Sequence, residues 1–104
     1  MKVLFDECIP QPLRRLLSGV EIATAQEMGW KRFKNGELLK RAEGVFDVFL
    51  TADRQLKYQQ NLTGRKLAIL VLSTNRWPAI KAKVPEIAAA IQSMRPGDYV
   101  ELPL

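Results

Sequence analysis

The sequence predicts a three-layer α/β/α sandwich of Rossmann-like type around a mostly parallel sheet. Two observations carry that prediction. Short apolar runs alternate with stretches of helical spacing along the chain. The strongest run, Leu67-Ala68-Ile69-Leu70-Val71-Leu72, is continuous, as a central parallel strand covered on both faces requires. At 104 residues the chain makes a single domain, 1–104, with neither repeat nor linker.

The elements follow in order. Val3 to Phe5 reads as a short buried strand meeting the acidic turn Asp6-Glu7. Pro10 and Pro12 open a helix over Leu13 to Leu17, and Ser18-Gly19 stops it. Val20 to Ala23 is a second strand. Thr24 to Gly29 has capping-box spacing, Thr24 with Glu27 three residues on, and predicts a short helix. Trp30 to Lys34 is a basic, aromatic loop. Asn35 is placed to cap a helix over 36–43 that Gly44 ends. Asp47 to Thr51 is a third strand, with Asp47 as its turn residue. Asp53 just beyond can cap a helix through about Asn61. After the central strand comes the polar loop Ser73-Thr74-Asn75-Arg76. Ile80, Val84, Ile87, Ala88, Ile91 and Met94 then recur at helical spacing, with Pro85 kinking or restarting the helix. Pro96-Gly97 turns the chain into a last strand, Tyr99 to Leu102.

Composition narrows the chemistry. There is no histidine, which excludes histidine-based triads, acid/base pairs and zinc sites. Cys8 is the only cysteine, so no internal disulfide forms, and a small packing role is the default for its thiol. No apolar run approaches the ~20 residues of a membrane span. Charge follows the first strand directly, with no leader pattern, which predicts a cytoplasmic location. The net charge of +5 favours encounter with polyanions, either nucleic acid or an acidic protein.

In an open parallel sheet, sites form just outside the carboxyl ends of the strands. That rule places Asp6 and Glu7 after the first strand, Asp53 after the third, and Ser73, Thr74 and Asn75 after the central one. Asp6 and Asp53 form the leading pair. Hard cations such as Mg²⁺ or Mn²⁺ take oxygen ligands, and crowded carboxylates are relieved by one. Such a site supports in-line displacement at a phosphodiester. The alternative is that Asp6 and Asp53 only cap the helices that follow them. Glu37 lies in a first helical turn, where a dipole or capping role is the default and a return to the same rim is the alternative. Positive charge clusters nearby: Lys31, Arg32 and Lys34 around Trp30 and Phe33, Arg54 and Lys57 after Asp53, Arg65 and Lys66 before the central strand, and Arg76 with Trp77 after it. Cations beside a metal site attract a phosphate backbone, and an exposed aromatic stacks on a base. The competing role for Trp30, Phe33 and Trp77 is as core anchors.

Several of these motifs occur together in a recognisable order. Met1-Lys2-Val3-Leu4-Phe5-Asp6-Glu7-Cys8-Ile9-Pro10, then Lys34-Asn35-Gly36-Glu37-Leu38-Leu39, then Phe46-Asp47-Val48-Phe49-Leu50-Thr51-Ala52-Asp53, with Tyr58-Gln59-Gln60-Asn61-Leu62, resemble PIN-like proteins of the DUF5615 type over nearly the whole chain. The resemblance implies a PIN-like sandwich and a Mg²⁺- or Mn²⁺-dependent ribonuclease, the toxin of a toxin–antitoxin pair. It implies an RNA substrate, an antitoxin partner and a homodimer. It aligns Asp6, Glu37 and the Asp53 of Thr51-Ala52-Asp53 with the family's acidic ligands, with Glu7 and Asn75 as contributors. Lys34, Arg54, Lys57 and Arg76 become the nucleic-acid contacts. One departure stands out: PIN nucleases usually carry a further acid after the next strand, where Ser73, Thr74 and Asn75 stand here. A module that binds RNA or a protein without cleaving is therefore a second expectation. A phosphoacceptor receiver is a third. It matches the acidic pair, Asp53 and the Ser/Thr positions, but lacks a lysine after the last strand.

Overall fold

The computed structural model describes residues 1–59 and 62–104, with the side chains of Tyr58 and Gln59 left aside. Five strands form one sheet: β1 (Lys2–Phe5), β2 (Glu21–Thr24), β3 (Val48–Thr51), β4 (Ala68–Leu72) and β5 (Tyr99–Leu102). Their order is β2-β1-β3-β4-β5, and every pairing is parallel. The helices are α1 (Leu13–Leu16), α2 (Asn35–Ala42), α3 (Leu56–Gln59), α4 (Trp77–Ala82) and α5 (Val84–Ser93).

Alternation along the strands builds two cores. Val3, Phe5, Val48, Leu50, Leu70 and Leu72 face one side, where Leu13, Ile80, Ile87 and Ile91 of α1, α4 and α5 cover them. Leu4, Phe49, Ile69 and Val71 face the other, beneath Leu38, Leu39 and Ala42 of α2 and Leu56 of α3. The molecule is therefore a three-layer α/β/α sandwich. Every residue of β4 is buried, as its unbroken apolar run requires.

Two local expectations are corrected, those for Thr24–Gly29 and Asn35, and two alternatives are settled, those for Asp6 and Pro85. The Thr24–Gly29 segment is a turn, not a helix, although both capping-box bonds form: Thr24 N–H to Glu27 Oε1 (2.9 Å) and Glu27 N–H to Thr24 Oγ1 (3.1 Å). Gly29, at φ +75°, ends the segment after a single turn. Asn35 does not cap α2. Lys34 occupies the cap without a side-chain bond, and the Asn35 amide is used elsewhere. Asp6 does not cap the first helix, because α1 begins only at Leu13. Pro85 restarts a helix rather than kinking one. Lys83 closes α4 and opens α5, and the proline takes a first-turn position where its missing N–H costs nothing. The expected helix after Asp53 is described as α3, and its extension to Asn61 lies outside the described residues. Among the described residues, no helix is long and apolar enough to cross a membrane.

Strand order also locates the crevice. The chain steps from β1 outward to β2, then crosses back to β3 on the other side of β1. Helices leaving β1 and β3 consequently diverge to opposite faces, and a cleft opens between the carboxyl ends of these two strands.

Candidate functional site: a carboxylate groove at the β1–β3 switch point

A groove of ≈ 540 Å³ lies at that point, lined by Asp6, Glu7 and Cys8 after β1, Asn35 of α2, Ala52, Asp53 and Arg54 after β3, and Ser73, Thr74 and Asn75 after β4. Asp6 and Asp53 arrive there because β1 and β3 are hydrogen-bonded neighbours in register, Phe5 beside Leu50. The Asp6 N–H extends the ladder, donating to the Leu50 carbonyl (2.9 Å).

Thr51 links the two carboxylates. It is fully buried at the end of β3. Its Oγ1 donates to Asp6 Oδ2 (2.7 Å) and accepts from the Asp53 N–H (3.1 Å). The remaining donors are local. Glu7 N–H reaches Asp6 Oδ1 (2.9 Å), Gln55 N–H reaches Asp53 Oδ1 (3.0 Å), and Asn35 Nδ2 reaches Asp53 Oδ2 (2.9 Å). The Cys8 thiol donates to Asp6 Oδ2 (3.7 Å). Burial pushes that thiol above its ordinary pKa, and the Asp6 charge adds to the push. Cys8 is thus a protonated donor at neutral pH and a poor nucleophile.

The donor set fits a hard divalent cation in kind. A carboxylate oxygen accepts about two hydrogen bonds. Among the described residues, Asp6 Oδ2 holds two, whereas Asp6 Oδ1 and both oxygens of Asp53 each hold one and keep a lone pair. Mg²⁺ characteristically binds through one or two carboxylates and completes its shell with water and substrate phosphate. Among the described residues, no group of three or more acidic, cysteine or histidine side chains is gathered closely enough to hold an ion alone.

The other anticipated residues divide. Glu7 and Asn75 line the groove with the two aspartates, as does Arg54. Lys34 lines a second, adjoining pocket. Glu37 is not brought to either. It pairs with Arg41 one turn along α2 (3.3 Å). Two residues are about 200° around a helix, so a groove-facing Asn35 directs Glu37 to the opposite side. Lys57 is committed to Glu101 (2.7 Å), and Arg76 lies outside the groove lining, at the start of α4. Trp30 and Phe33 pack, partly buried, against one core, and Trp77 against the other.

Sequence reasoning missed Asn35 as a partner of Asp53, and Thr51 as the bridge. Thr51 left a signal: it is the only polar residue of Val48–Thr51, a strand buried along its whole length. Asn35 left none, because nothing local distinguishes a capping amide from one drawn to a carboxylate on another element.

A wider hollow, ≈ 730 Å³, lies at the opposite pole and includes Glu43 and Asp47. Both acids there are bound to main-chain amides: Glu43 accepts from Lys66 N–H (2.7 Å) and Leu67 N–H (3.2 Å), and Asp47 Oδ2 from Lys2 N–H (2.7 Å). They hold strand ends in place.

No known family, curated protein or solved structure matches this chain. The resemblance to PIN-like proteins rests on the motifs themselves.

Proposed function

We propose that this protein is a Mg²⁺- or Mn²⁺-dependent ribonuclease of the PIN-like type, acting as the toxin of a toxin–antitoxin pair. The observation that supports the reading most is the Asp6–Thr51–Asp53 linkage. It presents two carboxylates with free lone pairs across a polar groove at the switch point of a parallel sheet. Asp6 and Asp53 would hold the ion, with Glu7 and Asn75 beside them. Glu37 is the further ligand that the family pattern assigns, and it would have to leave Arg41 to serve. A bound ion of this kind polarises a phosphoryl oxygen and acidifies water. The chain's own residues orient the carboxylates through Thr51, Asn35 and Cys8, and Arg54 offers positive charge to a phosphate.

A second reading is favoured by the uncharged third wall. Ser73, Thr74 and Asn75 stand where another carboxylate would be expected, so a module that binds RNA or a protein without cleaving uses the same groove. The receiver reading has no comparable support, since no lysine stands among the described residues that line the groove.

The deciding experiment is cleavage of single-stranded RNA with Mn²⁺, by wild type and by Asp53→Asn. Turnover lost in the variant supports the nuclease. Turnover unchanged removes Asp53 from the mechanism, and none in wild type leaves the binding module.

A further inference from the structure

A second pocket, ≈ 360 Å³, shares Asp6, Glu7 and Asn35 with the carboxylate groove and continues it toward α2. Its character is different. Buried Leu38 and half-buried Trp30 and Phe33 provide apolar surface, while exposed Lys31, Arg32 and Lys34 line the same space. We propose that this pocket is a nucleotide subsite, taking one unpaired nucleotide of an RNA strand whose neighbouring phosphodiester lies over Asp6 and Asp53. The proposal rests on the nuclease reading for the neighbouring bond, but the pocket's own chemistry stands on separate residues.

Three features carry it. First, the cations are not paired with carboxylates. Among the described residues, Arg14, Arg41 and Lys57 are tied to carboxylates, whereas Lys31, Arg32 and Lys34 enter no ion pair. Three such charges in one concavity concentrate positive potential where a phosphate would enter. Second, the aromatics are held in place beforehand. Trp30 meets Phe46 edge-on, with centroids 6.1 Å apart at 82°. The Arg32 guanidinium lies 4.9 Å from the Phe33 ring centroid, and that of Arg41 at 4.1 Å, so Arg32 is steadied at the rim. A rigid aromatic beside a fixed guanidinium suits the stacking of an unpaired base. Third, the size is that of a small-ligand site, and the shared wall of Asp6, Glu7 and Asn35 makes it continuous with the metal groove. The acidic half thus takes the ion and the bond to be cut, and the basic half takes the strand.

The test is binding in EDTA, where no divalent ion acts and nothing is cleaved. A fluorescein-labelled single-stranded RNA decamer is titrated into the full chain, wild type and Lys31→Ala/Arg32→Ala/Lys34→Ala, across a series of salt concentrations. The three residues are exposed, so circular dichroism melting should match wild type. The variant is expected to bind at least about 10-fold more weakly, with a salt slope shallower by about 2, as three lost phosphate contacts on a single strand predict. In a Trp77→Phe background, RNA should quench the remaining Trp30 emission, and duplex RNA should not. Equal affinity and slope in the triple variant, no wild-type binding, or equal quenching by duplex would each overturn the subsite. Tight binding through these residues by a protein that never cleaves would sink the nuclease reading alone and leave the pocket standing.

Discussion

The two poles of the sheet put carboxylates to opposite uses. At the amino pole, Glu43 and Asp47 accept hydrogen bonds from main-chain amides and fix where β4 and β1 begin. At the carboxyl pole, Asp6 and Asp53 accept from the Glu7 and Gln55 amides but also from the side chains of Thr51, Asn35 and Cys8, and still present lone pairs to an open groove. A carboxylate bound by backbone contributes to folding. One propped up by side chains at a strand's carboxyl end is placed for a ligand. The amino-pole hollow is the wider of the two, so the arrangement of donors separates these sites and size does not.

Substitutions at the two poles should therefore fail differently. Asp53→Asn and Asp6→Asn are expected to lower metal-dependent cleavage by at least about 100-fold while leaving the melting temperature near wild type. Glu43→Ala should do the reverse. It orphans two amides at the start of β4 and should cost about 1–3 kcal/mol in denaturant unfolding, with cleavage per folded molecule unchanged. Thr51→Val keeps the shape but cuts the link between the carboxylates. Metal affinity or turnover should fall by about 10-fold, a loss typical of a group that orients ligands. Glu37→Gln should change cleavage by less than about 3-fold, because its carboxylate is turned to Arg41; a loss as large as that of Asp53→Asn would show that Glu37 swings into the groove.

The smallest effect is a pH dependence. The Thr24 amide, and then Arg14, hold Glu27 below its ordinary carboxyl pKa of 4.5. A depressed folded value means stability that is present above the ordinary value and lost as pH falls through the depressed one. Wild type should therefore lose slightly more stability than Glu27→Gln on acidification below about 4.5, read by denaturant midpoints at matched pH. Identical profiles would place the Arg14–Glu27 pair outside the stability of this turn.

Much of this arrangement was legible in the sequence. The unbroken apolar run identified β4 as central, and the strand-end rule brought Asp6, Asp53 and Ser73–Asn75 to one rim. What was not legible depends on rotation and distance. Glu37 shares a first turn with Asn35, and only the helix phase decides which of them meets Asp53. The Thr24–Glu27 box formed as spacing demands yet led into no helix, because Gly29 closes the turn at once. Lys57 looked available beside Asp53 in sequence, but Glu101 on the edge strand β5 claims it.

The most direct measurement is calorimetric titration of Mn²⁺ into the wild-type protein and into Asp6→Asn and Asp53→Asn. Binding by wild type that either substitution abolishes would establish one shared site across the β1–β3 crevice. Binding that survives both substitutions would contradict the carboxylate pair as a metal centre.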